Sequence, residues 1–318
     1  MLTEDSVAFD GLPLVVKTSA GTATTSEPID WLDKQAREGF PLIQRFGAIL
    51  LRGFAVEGAA AFETVCRAGT PKLLSYTGGG SPRSSVHGKV YTSTEYASDQ
   101  YIPLHCEESY FATVPHYIWF YCEKSASIGG ETPIGDMARL LDRLDPGLIE
   151  RFRRLGVRYI YNLHGGNGFG RGWKDSFETE NRSEVEAWLE ERKVSHHWTD
   201  DGGLHMDLFG PGLRTHEESG AIVWGNQASS WHVGGLRRGM DKQMYRIYGS
   251  EDRFPKHATF GDGSPIPVED IRHIQQALQA EEVVFPWQTG DVLLCDNHRV
   301  AHGRRPFQGE RRVLVALA

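Results

Sequence analysis

The chain has 318 residues, 40% of them hydrophobic and 24% charged, with a formal net charge of −8. This is the balance of a soluble globular protein, and it argues against nucleic acid as a partner, which calls for a basic face. The four cysteines, Cys66, Cys106, Cys122 and Cys295, are widely spaced with no C-x-x-C pair, so neither a disulfide framework nor a structural zinc site is expected. No apolar run is long enough for a membrane span and the N-terminus has no signal-peptide pattern, so a cytoplasmic protein without a membrane partner is expected.

Residues 1–28 are rich in Thr, Ser, Ala and Gly and read as a loosely ordered lead-in, leaving 29–318 as a single domain. The apolar spacing of Ile29, Leu32, Ala36 and Phe40 predicts a helix that runs to Phe46. A short apolar run closed by Arg52-Gly53 makes Phe46–Phe54 a buried strand, and Ala59–Ala68 reads as a helix. Leu73–Tyr101 then changes character: Gly78-Gly79-Gly80, Ser81-Pro82 and many hydroxyl side chains mark a functional loop. Tyr117–Tyr121 reads as a strand, and Met137–Leu144 and Leu148–Leu155 as helices. Ser183–Lys193 reads as a charged helix whose Ser183 and Glu186 form a capping box. Ala221–Trp224, Val283–Phe285, Asp291–Cys295 and Arg312–Leu317 read as strands. Short strands with long irregular connections point to a mainly β fold, a sandwich or jelly roll with flanking helices.

The chemistry is concentrated in Ile102 to Tyr110. In extended backbone, residues two apart share a face, so His105 and Glu107 aim an imidazole and a carboxylate at one point. A second histidine, His298 or His302, lies in the run Asp296 to Arg304. Two histidines and one carboxylate on one side of a metal form the facial arrangement of non-haem iron oxygenases. A chelating 2-oxo acid would also need a planar cation for its far carboxylate, which Arg311 or Arg312 could supply, and a hydroxyl donor such as Thr132.

His105-Cys106-Glu107, Gly129-Gly130-Glu131-Thr132, and the stretch from Asp296-Asn297 through His302-Gly303-Arg304 to Arg311 resemble the taurine dioxygenase/TfdA family. That family belongs to the clavaminate-synthase-like 2-oxoglutarate dioxygenases. The resemblance implies a double-stranded β-helix (jelly roll) with Fe(II) held at a catalytic centre of His105, Glu107 and His302. It implies 2-oxoglutarate and O2 as co-substrates, with Thr132 and an arginine binding 2-oxoglutarate. His298 falls at a variable position and receives no ligand role. Arg311 and Arg312 are adjacent on a strand, so only one can enter the barrel, and the resemblance favours Arg311.

Ser81-Pro82-Arg83, Val90 to Tyr96, Trp119-Phe120-Tyr121-Cys122 and Asp262 to Pro267 are similar to a narrower, syringomycin-biosynthesis-type subgroup. Its members act in natural-product pathways on amino-acid-like substrates, some of them tethered to a carrier protein. The implied reaction is hydroxylation of a small-molecule substrate with release of succinate and CO2, desaturation and cyclisation being its variants. Glu107 argues against halogenation, which needs that position vacant for chloride. Two departures stand out: Cys106 replaces an Asn common between the iron ligands, and Val315 stands where other relatives carry an arginine for an anionic substrate. A metal-dependent hydrolase or zinc-binding protein on a jelly-roll scaffold would keep the triad but have no use for Thr132 and Arg311. Leu73–Tyr101 and Ser229–Gly235 are candidate lids, and Tyr91, Ser93, Asn226 and Trp231 candidate pocket residues. Oligomeric state is not legible.

Overall fold

In the strand Val292–Asp296 every position but the last is apolar, because both faces of its sheet are covered. The computed structural model describes residues 2–5, 11–18, 24–79, 81–166, 168, 170–236 and 239–318. Val292–Asp296 runs antiparallel between Ala48–Arg52 and Tyr117–Lys124. Arg312–Leu317 pairs with the far side of Tyr117–Lys124, and Val90–Thr92 with Arg312–Leu317. Leu14–Thr18 joins parallel to Ala48–Arg52 with Leu2–Asp5 beyond it, and Ser85–His87 closes the other edge of this eight-stranded sheet. Part of the expected loose lead-in is therefore paired into the sheet; residues 1, 6–10 and 19–23 of it lie outside the described residues, as does Gly80 of the expected loop.

Alternation along Arg312–Leu317 separates two buried faces. Leu314 and Ala316 pack outward with Trp119 and Tyr121 against Leu32, Ile43, Phe62 and Val65 of the covering helices. Val313, Val315 and Leu317 pack inward with Phe120, Leu293, Phe285 and Trp287. The covering helices are Ser26–Arg37, Pro41–Phe46 and Gly58–Gly69. The single helix expected over Ile29–Phe46 is thus two. Gly39 and Phe40 take positive φ (78° and 56°), and Pro41 starts the second piece, where its missing N–H costs nothing.

Facing the large sheet is a three-stranded one, with Val300–Arg304 between Ile102–His105 and Ile134–Asp136 and antiparallel to both. Ile134 and Val300 share the inward cluster of Phe120 and Val315. The two sheets form the expected jelly roll. A four-stranded sheet, in the order Ser195–Trp198, Leu204–Gly210, Val157–Leu163, Lys256–Phe260, was not anticipated. It shares a second core with the helix Val268–Ala280.

Several local expectations are corrected. Met137–Leu144 holds only a short 3-10 turn, Arg139–Arg143. Val283–Phe285 makes a single bridge, Val283 to Ile134, in place of a strand. The helix Arg182–Glu191 is capped by Asn181, whose side chain accepts from the Ser183 N–H, while Glu186 accepts from the Trp198 indole, so no capping box forms. Leu73–Tyr101 is irregular only in part, since it contains Ser85–His87 and Val90–Thr92.

Candidate metal and co-substrate site

His105 ends the strand Ile102–His105, and His302 is its register partner in Val300–Arg304. Register partners project to the same side of a sheet, and the two imidazole centroids are 4.5 Å apart. Gly303 allows this pairing, because a Cβ there would lie 2.6 Å from the Ile102 carbonyl oxygen. Glu107 lies beyond the strand end, so a turn aims it, not the extended alternation expected from the sequence. Asn297 fixes that turn: its Oδ1 accepts from the Glu107 N–H (2.7 Å), and its Nδ2 donates to the carbonyls of Glu107 (3.1 Å) and Pro115 (2.8 Å). Glu107 Oε2 is 3.5 Å from His302 Nε2. One ligand atom from each of His105, Glu107 and His302 lies within 4.8 Å of the other two. His298 is elsewhere, donating to the Val114 carbonyl (3.3 Å) and stacked on His116. Cys106 is buried, and its carbonyl accepts from Gln227 Nε2 (2.6 Å).

Electrostatics prepare the three groups for a cation. His105 Nδ1 donates to the Pro103 carbonyl (2.9 Å), which leaves the Nε2 lone pair free. Burial, helped by neighbouring His302, lowers His105 to about 4, and burial also lowers His302. Burial works against ionisation of Glu107, but the Arg83 guanidinium and His302 hold its carboxyl well below the usual carboxylate range. Two neutral imidazoles and one carboxylate are the protonation states that metal binding requires, and nitrogen and oxygen donors of this kind fit divalent iron.

Thr132 and Arg311 meet a short distance away. Gly129 and Gly130 take positive φ (68° and 76°), and a Cβ on Gly130 would lie 2.9 Å from Arg311 Cδ. The Gly130 carbonyl accepts from Arg311 Nε (2.7 Å), while Nη2 donates to Thr132 Oγ1 and Nη1 to Ser93 Oγ, both at 3.3 Å. Trp287 donates its indole N–H to Thr132 Oγ1 (3.0 Å) and holds that hydroxyl in place. Burial and the neighbouring Arg304 bring Arg311 down to about 10, so it remains cationic at neutral pH. Arg312 points outward, half-exposed, and pairs with Glu123. A cavity is bordered by His105, His302, Thr132, Arg311, Ser93, Phe120, Arg304 and Arg83, among others.

Of the four candidate pocket residues only Ser93 borders this space. The Tyr91 hydroxyl accepts from the Tyr76 N–H, Asn226 donates to the Gly212 carbonyl, and Trp231 packs among Tyr110, Tyr159 and Tyr161. Sequence reasoning gave no role to Arg83, whose Nη2 donates to Glu107 Oε2 (2.5 Å), or to the supports Asn297 and Trp287. The signal for Arg83 was its place in Ser81-Pro82-Arg83, which carries a resemblance but no role.

A jelly roll that brings two histidines and a carboxylate together at one end of a cavity is the frame of a non-haem metal oxygenase. The profile of the taurine catabolism dioxygenase TauD/TfdA family matches residues 10–317. The dapdiamide synthesis protein DdaC of Enterobacter agglomerans is 37% identical over 276 residues, covering 87% of this chain and 83% of that protein. A clavaminate synthase-like protein of Arabidopsis thaliana is 35% identical over 285 residues, covering 87% of this chain and 82% of that protein. The chain belongs to the TauD/TfdA family of dioxygenases. Its fold is shared by PvcB of Pseudomonas aeruginosa (TM-score 0.54, 18% identity, covering 100% of this chain and 90% of that one). It is shared also by an asparagine oxygenase solved with Fe(II), 3-hydroxyasparagine and succinate (TM-score 0.55, 12% identity, 92% and 79%). No helix among the described residues is long and apolar enough to cross a membrane.

Proposed function

We propose that this protein is an Fe(II)- and 2-oxoglutarate-dependent oxygenase that hydroxylates a small, amino-acid-like substrate in natural-product biosynthesis. The biosynthetic setting follows the likeness to the dapdiamide synthesis protein. The observation that carries the chemistry is that one cavity is bordered by His105 and His302 and also by Thr132 and Arg311. His105, Glu107 and His302 hold the iron. Arg311 and Thr132 hold the far carboxylate of 2-oxoglutarate, the arginine through its planar fork. When bound, iron with 2-oxoglutarate and O2 supplies the oxidising chemistry, in which one oxygen atom enters succinate and the other the substrate, with loss of CO2. The chain's own contribution is to orient the ligands, to keep the cavity walls apolar at Ile102 and Phe120, and to place a cation where the far carboxylate ends. The catalytic domain comprises residues 29–318, with the strand Leu14–Thr18 completing its sheet.

Anaerobic titration tests this reading. Iron and 2-oxoglutarate added together produce a weak visible charge-transfer band that neither produces alone. A hydrolytic zinc site gives no such band, and its absence overturns the proposal.

A further inference from the structure

Arg83 is a buried cation of the cavity wall to which the proposed function gives no role. Its side chain is 3% exposed, and its guanidinium lies over the Tyr76 ring, 4.4 Å from the centroid. Nη2 reaches Glu107 Oε2, but the buried Nε and Nη1 have no hydrogen-bond acceptor among the described residues. Arg304, the neighbouring buried arginine, lacks a partner only at Nε: its two terminal nitrogens meet the carbonyls of Thr94, Tyr96, Ala97 and Gln100. Buried guanidinium donors are rarely left empty, because desolvation without a partner is unfavourable. Arg83, which borders the cavity with His105 and His302, therefore has two donors that lack an acceptor.

The charge balance says what kind of acceptor. Ser93, Thr94, Ile102, Phe120, Thr132 and Gly303 contribute no charge to the wall. Glu107 offsets one positive charge, whereas a divalent metal, Arg83, Arg304 and Arg311 together bring five. The surplus calls for a ligand with more than one negative charge, and Arg83 and Arg311 both border the one space. A dicarboxylate matches both features.

Resting on the proposed function, we infer that Arg83 is a second carboxylate-binding residue. Its free nitrogens receive the carboxylate next to the keto group of 2-oxoglutarate while Nη2 keeps its hold on Glu107. Arg311 then reads the far carboxylate, and only the far carboxylate distinguishes 2-oxoglutarate from a 2-oxo monoacid of equal length.

The test is anaerobic binding of 2-oxoglutarate and of 2-oxovalerate to the iron-loaded protein, in wild type, Arg83→Gln, Arg83→Lys and Arg311→Lys, with iron affinity measured separately. Arg83→Gln weakens both 2-oxo acids by a similar factor of about ten or more, since both carry the near carboxylate. Arg311→Lys weakens 2-oxoglutarate and leaves 2-oxovalerate nearly unchanged. If Arg83→Gln loses iron, Arg83→Lys, which keeps a cation beside Glu107, is read in its place and weakens both acids several-fold. Unchanged affinity for both acids in the Arg83 variant overturns the inference, and so does a loss confined to 2-oxoglutarate. Absence of any band in wild type instead defeats the proposed function, so the two failures are told apart.

Discussion

Replacing Arg311 by lysine keeps one positive charge in the cavity but removes the planar fork. Three contacts locate that fork: Nε to the Gly130 carbonyl, Nη1 to Ser93 and Nη2 to Thr132. A lysine amine can satisfy the carbonyl or reach a carboxylate, but it cannot present two parallel N–H groups to one. The loss is about one charge-assisted hydrogen bond, roughly 1.5–3 kcal/mol. At 1.4 kcal/mol per factor of ten, the affinity for 2-oxoglutarate falls by about 10- to 150-fold. Arg312→Lys is the control, because that side chain is 51% exposed and pairs only with Glu123. Exposed pairs of this kind contribute about 0–1 kcal/mol, and lysine preserves the charge, so the change stays within about threefold. The assay is anaerobic titration of the charge-transfer band with 2-oxoglutarate at saturating iron. Equal effects of the two substitutions, or a larger one from Arg312→Lys, would refute the assignment of the inner face.

His105→Ala and Glu107→Ala abolish iron binding while circular dichroism stays near that of wild type, because each removes one of three ligands from a site set between intact sheets; His298→Ala retains iron and turnover. Thr132→Ala raises the Michaelis constant for 2-oxoglutarate and not that for the substrate, through loss of the hydroxyl that Trp287 and Arg311 share. Asn297→Ala frees the Glu107 turn and lowers iron affinity about tenfold, the lower end for loss of a group that supports a metal ligand, while leaving 2-oxoglutarate affinity at saturating iron unchanged. For metal-free protein one part of the pH dependence comes from His105, held at about 4 when folded against 6.5 when unfolded. Between these values the unfolded chain binds a proton that the folded one does not, so the contribution of His105 declines as pH falls from 6.5 towards 4, by about 3 kcal/mol, while Glu108, pushed up by burial to about 8, contributes in the opposite sense. Denaturant melts of wild type and His105→Ala across this range isolate that contribution; parallel profiles contradict the buried neutral imidazole.

The candidate metal triad is legible because each part lies in a short segment: a short strand carries His105, Glu107 lies two residues on, and one motif carries His302. Arg311 was harder to read. Val313, Leu314, Val315 and Leu317 are all buried, since helices cover one face of the sheet and the opposite sheet the other, so hydrophobicity shows no alternation. The resemblance chose Arg311, and it is Arg311 that borders the cavity. Arg83 could not be found by pattern, because its partner Glu107 is 24 residues away and only the folded loop joins them. The break at Gly39-Phe40-Pro41 was present in the letters, but the apolar spacing across it looked continuous. The sheet around Val157–Leu163 escaped notice because Tyr159, Ile160 and Tyr161 are consecutive buried residues that blur a period of two.

Arg304 stands two residues after His302 in the same strand, and its terminal nitrogens gather the carbonyls of Thr94, Tyr96, Ala97 and Gln100. Residues 95 and 97–99 are exposed and look like a natural protease target. Cleavage requires a stretch of chain to peel away, and here peeling must break several bonds to one buried guanidinium together. This stretch therefore resists limited proteolysis despite its exposure. Thr94 and Arg304 also border the cavity, so the strand that carries His302 sets the position of this part of its wall.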